Sequence, residues 1–450
     1  MRAAVQNPAL ARSSQELAAL ARRGVVMPAP EQVFIAQDVP LEAVAAGAVL
    51  HPFTRLAGAA TRVDAGAVIG ASGPATLENA WVGAGAVVGR LGPVTLRDSV
   101  AGPGAVLGSG VAEHSVFLGR EGDAPEFTTG YGFRARPGTL YEEGANSAQH
   151  TDTKMTVLLP WVTLGSNLNW CDILVAGGRG PDPGCFTEIG SGVIHFNFTP
   201  RGDKATGSML GDVREGVFLQ QARLFIGGNV SLIGPVTADF GAATPAGGRH
   251  AGRLRMGMNP PLPPLETGAL GEFDLEVYGS VSGVYQSQVR MIGELSAMAV
   301  WYEQVRAPLA RGDADRAELY RRGGDMVRLN LNERIRQLTA FAGRVEGSLR
   351  ILEARRPGDP RIGQQRTLVE RWPKVTALLA ERIGQAAPPP PELLRGLEQT
   401  QERLGRVAYT AVIQALPAAA AQAGRHWMAR VSDAVTAGEV LSAVPGLTPR

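Results

Sequence analysis

Three side chains have the chemistry of a general base, a role that needs a pKa near neutral and hydrogen-bond reach of the proton to be moved. His195 stands two residues before Asn197, so on a strand the two side chains share a face. His150 sits in Gln149-His150-Thr151-Asp152-Thr153-Lys154, a polar run in a glycine-rich stretch. Asp172 closes the run Asn169-Trp170-Cys171-Asp172. The remaining histidines, His51, His114, His250 and His426, have no supporting neighbours. Cys171 and Cys185 are too few for a disulfide framework or a four-thiolate zinc site, and they read as packed thiols. No HExxH and no Asp-rich calcium loop occurs, so no metal is expected.

The elements that would position these residues follow from a period of six. Val82, Val88, Val94, Val100 and Val106 stand six apart, and Ala112 and Leu118 continue the series. Val44-Leu50-Leu56 and Val63-Ile69 keep the same spacing before a slip near Ala75; Ile189-His195 and Ile226-Leu232-Ala238-Thr244 resume it. A period of six fits neither an amphipathic helix nor an ordinary strand and is the signature of a hexapeptide β-solenoid. Each six residues make a short strand and a turn, and three such units close a coil. The aliphatic side chain points inward, and small residues such as Gly83 and Gly89 take the corner. Hexad phase puts His195 itself in the inward series. One coil cannot bury its face alone, so stability comes from stacking.

This reading places a left-handed parallel β-helix over 40–250, after a partly helical N-terminal segment at 1–39. Irregular insertions are expected at about 121–155, at 177–183 (GGRGPDP) and at 199–208 (TPRGDKATGS). A proline-rich linker, 251–283, contains NPPLPPL at 259–265. Helical spacing of apolar residues among Arg and Glu then dominates 284–450, predicting an all-α C-terminal region. Gly323-Gly324 is expected to weaken or kink the helix over 314–355, and Pro388–Pro391 and Pro417 to interrupt later ones.

The segment EIGSGVIHFNFTPRGDK, followed by FIGGNVSLIGPV, resembles a known family: the left-handed β-helix acetyltransferase domain of the bifunctional UDP-N-acetylglucosamine pyrophosphorylase/glucosamine-1-phosphate N-acetyltransferase. The matching pieces are Ile189-Gly190-Ser191-Gly192, Asn197-Phe198, Lys204, Phe225-Ile226-Gly227-Gly228 and Leu232-Ile233-Gly234-Pro235-Val236. The resemblance implies that Asn197 and Lys204, with Asn169 in the preceding coil, face a sugar-phosphate substrate. It implies that Gly227 and Gly228 lie on the side of acetyl-CoA, the co-substrate. A Lys ammonium suits a phosphate, and an Asn amide can orient a sugar hydroxyl or amine. The family's His-Leu-Thr-Tyr stretch is replaced by Leu168-Asn169-Trp170-Cys171-Asp172, so a base would come from His150, His195 or Asp172. No glycine-rich, arginine-containing phosphate loop opens the chain, so the family's nucleotidyltransferase half is not seen.

Composition bounds the rest. Across 450 residues, 44 basic and 42 acidic side chains leave a formal charge of +2, and basic clusters alternate with acids; no nucleic-acid partner is expected. No stretch of 18 apolar residues occurs, and Met1–Arg23 has no apolar core of a signal peptide, so the reading is a cytoplasmic protein with no membrane partner. The leading expectation is an acetyl-CoA-dependent N-acyltransferase of sugar-nucleotide metabolism, acting on an amino-sugar phosphate or nucleotide sugar and, by resemblance, a homotrimer. The rival is a catalytically inert solenoid scaffold that binds a sugar nucleotide or a protein partner. A uridylyltransferase is suggested by the family's name only.

Overall fold

In a computed structural model, described for residues 10–120, 126–199, 201–264, 274–405, 408–436 and 439–442, the chain forms two compact units, 1–169 and 170–450. Parallel β-solenoid coils make up most of the first unit and open the second; the rest of the second is all-α.

The first unit begins with α1 (Ser14–Arg22), whose start is closed by a reciprocal Ser13–Glu16 capping box. Coils follow in which Leu50 stacks on Ile69, Ile69 on Val88 and Val88 on Leu107. A second stack runs Val63, Val82, Ala101, Phe117, and a third Leu56, Leu77, Leu96, Ala112. All are buried, so the inner aliphatic ladders are the core. Along the first of these stacks the step between partners is 19 residues: Val49 pairs with Val68, Val68 with Val87, Val87 with Val106. A coil of three hexads would step by 18. Val82 is therefore stacked under Ala101 rather than Val100, and the valine series drifts by one position per coil. Gly47, Gly66, Gly85 and Gly104 keep that 19-residue step at one corner, all with positive φ, which is why a residue without Cβ recurs there.

The expected insertion at 121–155 is corrected by the strands it holds: Thr129–Ala135, Thr139–Tyr141, Asn146–Ser147 and Asp152–Leu158, all in parallel ladders. Residues 121–125 lie outside the described residues. The aliphatic period vanishes here because several inward positions are hydroxyl residues that bond one another. Thr139 Oγ1 donates to Thr153 Oγ1 (3.3 Å) and Thr151 Oγ1 to Ser147 Oγ (3.1 Å), all buried.

The second unit opens with coil strands at Trp170–Val175 (the larger part of Asn169–Val175), Thr187–Ile189, Ile194–Phe196, Ser208–Leu210, Phe225–Ile226 and Ser231–Ala238. Segments 177–183 and 201–207 hold neither strand nor helix. The strands Arg249–Leu254 and Gly257–Met258 carry the solenoid into the segment expected as linker. A single turn, α2 (Val213–Gly216), is capped by Asp212.

The helical region comprises α3 (Ser282–Trp301), α4 (Ala307–Leu309), α5 (Ala314–Arg355), α6 (Arg361–Arg382), α7 (Pro391–Leu404), α8 (Tyr409–Gln414), α9 (Ala418–Thr436) and α10 (Glu439–Ser442). α3 is buried nearly all round because it packs on α5, α9 and the strands Ser208–Leu210 and Ser231–Ala238. α5 runs through Gly323-Gly324 without a break in the helix. A Cβ at Gly323 would stand 2.7 Å from the Tyr302 ring, so the glycine admits a close neighbour. Breaks do fall at Pro388–Pro391 and Pro417. No helix among the described residues is long and apolar enough to cross a membrane.

Candidate functional site

Two of the three candidate bases and one candidate substrate residue come together in the second unit. Parallel pairing of Ile173 with Ser208 and of His195 with Leu232 sets neighbouring coils in register, bringing Asp172, His195, Asn197 and Ser208 together. α3 and α5 pack there.

His195 is 4% exposed. Its Nδ1 lies 2.6 Å from the Cys171 carbonyl oxygen, which only accepts, so Nδ1 carries the proton. Nε2 then accepts from the Ser208 hydroxyl at 2.8 Å, and Ser208 Oγ accepts in turn from the Val236 N–H at 2.8 Å. Burial holds the imidazole pKa down at about 4, with Arg334 pushing the same way and the Cys171 carbonyl and Asp172 opposing. The ring is a neutral tie between three strands. A serine donating to a neutral imidazole has the connectivity of an activated nucleophile, but Ser208 is wholly buried and leaves no space for a substrate.

Asp172, also 4% exposed, is shared between two donors: Asn197 Nδ2 on one carboxylate oxygen and Arg334 Nη2 on the other. Arg334 is 1% exposed and comes from the middle of α5. Its Nη1 donates to the Lys204 carbonyl oxygen at 3.1 Å, and Gln288 of α3 donates to the Gly207 carbonyl oxygen at 3.1 Å. A Cβ at Gly207 would stand 2.9 Å from Arg334 Nη1, so the loop is shaped to the guanidinium. The segment 199–208 is further tied by Thr199 Oγ1 to Asp203 (2.7 Å), by the Tyr278 hydroxyl to Asp203, and by Arg344 to the Arg201 carbonyl. Two helices and the segment at Tyr278 thus hold the loop that the resemblance assigns to substrate.

Lys204 is half-buried, and it is its carbonyl that Arg334 takes. Gly227 and Gly228 sit at a coil corner. A Cβ on Gly227 would come within 2.5 Å of the Ala246 nitrogen in the next coil, whereas one on Gly228 would meet nothing nearer than 3.2 Å. Close stacking of backbones explains Gly227 without a cofactor. Asn169 is exposed at the end of the first unit. His150, also in the first unit, is exposed, its ring edge-on to Tyr131 at 5.6 Å between centroids. Among the described residues, no group of three or more His, Cys, Asp or Glu side chains is placed to hold a metal ion.

Sequence reasoning missed Arg334 and Glu294. Arg334 interrupts an apolar stripe with clean helical spacing, Val327, Leu331, Arg334, Leu338, Phe341, Val345, and a charge on such a stripe is the signal of a buried partner. Glu294 does the same among Met291, Ile292, Leu295 and Met298 of α3. It accepts from the Val213 N–H (2.8 Å), Arg214 Nε (2.7 Å) and Ser432 Oγ (2.9 Å), joining α2, α3 and α9.

Fold and site together give a parallel β-solenoid joined to an all-α region through the buried Asp172–Arg334 pair. Comparison with protein-family models and with curated proteins finds no match to this chain.

Proposed function

We propose that this chain is a non-catalytic solenoid that binds a phosphorylated sugar or sugar nucleotide. The observation that carries this is the Asp172–Arg334 ion pair with Asn197 on the same carboxylate. A residue that must orient a sugar amine needs open hydrogen-bond capacity in a cleft, and a catalytic base needs reach to substrate. Asp172 and His195 direct that capacity to Asn197, Arg334, Ser208 and the backbone, and Asn197 directs an amide hydrogen to Asp172. The choice of ligand comes from the resemblance over residues 186–245.

The test is a pair of measurements on the purified chain. Acetyl-CoA with glucosamine 1-phosphate should yield no acetylated product, and UDP-N-acetylglucosamine should raise the melting temperature while CoA does not. A ligand at about 100 times its Kd adds roughly 2.7 kcal/mol of stability. Acetylated product would overturn the reading, and so would silence toward the sugar nucleotide.

A second reading, the acetyl-CoA-dependent N-acyltransferase, is favoured by the exposure of His150, the one candidate base whose imidazole reaches solvent. On that reading H150A abolishes acetylation of an amino-sugar phosphate at unchanged stability.

A further inference from the structure

We propose that a cavity of about 420 Å³ at the junction of α5 and α6 binds the phosphate or diphosphate of a small organic anion. The proposal deepens the binding reading and rests on it for the organic part of the ligand.

Four guanidiniums line this cavity: Arg201, Arg355, Arg356 and Arg361. In a chain whose formal charge is only +2, such a concentration is a local departure from balance. Asp274 is the one carboxylate in the lining, with Glu276 and Asp359 beside it, so positive charge remains in excess even when all three are counted.

The arginines are held in different ways. Arg201 belongs to the loop that carries Lys204. It donates to the Asp274 (3.1 Å) and Val277 carbonyl oxygens and lies 4.9 Å over the Tyr278 ring. Arg361 is forked onto Asp359 at 2.8 and 2.7 Å, which fixes its plane at the start of α6. Arg355 stands 3.7 Å from both Asp274 and Glu276, too far for a hydrogen bond to either, and its side chain is 61% exposed. Two anchored guanidiniums and one loosely paired one suit a tetrahedral oxyanion, which takes several charge-assisted bonds at once. Val277, Ile351 and Leu352 supply an apolar wall, so the ligand carries a carbon body as well as charge. The volume falls in the range of small-molecule sites.

The experiment is titration calorimetry on the full chain at constant ionic strength, with inorganic pyrophosphate and with UDP-N-acetylglucosamine. The double variant R355Q/R356Q is measured alongside; both residues are exposed, and its unfolding midpoint should match the parent. We expect both probes to bind the parent and to bind the variant about tenfold more weakly or worse. Failure of both probes to bind overturns the site and the binding reading together. Equal binding of UDP-N-acetylglucosamine by parent and variant overturns the site and leaves the reading standing. Pyrophosphate binding that the variant loses, with no sugar-nucleotide binding, supports the anion site and overturns the sugar ligand.

Discussion

Asp172 and Arg334 stand 162 residues apart in the chain and form an ion pair from which water is almost wholly excluded. One comes from a solenoid strand and the other from the middle of a helix. Their meeting joins the two kinds of structure in the second unit.

Breaking that pair from one side should be expensive, because the remaining charge stays buried. R334M is expected to cost about 3–5 kcal/mol, while R334M/D172L, which removes both charges, should cost clearly less than the sum of the two single changes. Urea unfolding of the four proteins in the cycle checks this. Additive losses would show that the pair has no coupling.

The imidazole of His195 makes stability depend on pH in a defined direction. Its folded pKa, about 4, lies below the ordinary 6.5, so between these values the unfolded chain binds the proton and the fold does not. Stability is therefore fully present above about 6.5, falls as pH drops toward 4, and levels off below, a loss on the order of 3 kcal/mol. H195Q should flatten this part of the curve, read as melting temperature against pH relative to the parent.

Asp212 works in the opposite sense. Burial and the neighbouring Glu294 raise its pKa to about 7, so the fold keeps a proton that the unfolded chain releases near 3.8. Its contribution is present at low pH and is lost as pH rises through 7. D212N keeps an oxygen to cap α2 and should gain stability relative to the parent on going from pH 5 to pH 8. An unchanged difference across that range would contradict the assignment.

Gly227 and Gly228 separate structural from ligand roles at adjacent positions. G227A forces a Cβ onto the backbone of the next coil and should cost about 2–3 kcal/mol, whereas G228A should cost under about 1 kcal/mol. Thermal unfolding ranks them. Equal costs would mean that the coils can part more easily than their stacking implies.

Lys204 offers its carbonyl, not its ammonium, to Arg334, so K204A should leave the unfolding midpoint within about 0.5 kcal/mol of the parent. If the ammonium faces a phosphorylated ligand, the same variant loses affinity for UDP-N-acetylglucosamine in calorimetry. Unchanged affinity would remove Lys204 from the ligand's reach.

The solenoid was legible in the sequence because the inward ladders of its first coils are aliphatic, and their recurrence at short, nearly regular spacing fits neither a helix nor an ordinary strand. The helical region was legible from its three- and four-residue spacing. Both are local demands of the backbone on its own side chains. The 19-residue step was written in Gly47, Gly66, Gly85 and Gly104, a pattern that the nearer valine series hid. Coils with Thr and Ser inside were not legible, since hydroxyls read as surface until their partners are known to be opposite. Only the tertiary structure decided the candidate site. Asn197, His195 and Asp172 have side chains as suited to substrate as to one another. Which of these they serve depends on Arg334, brought from 162 residues away onto a buried carboxylate. Short-range spacing cannot encode that meeting; packing of α5 against the solenoid does.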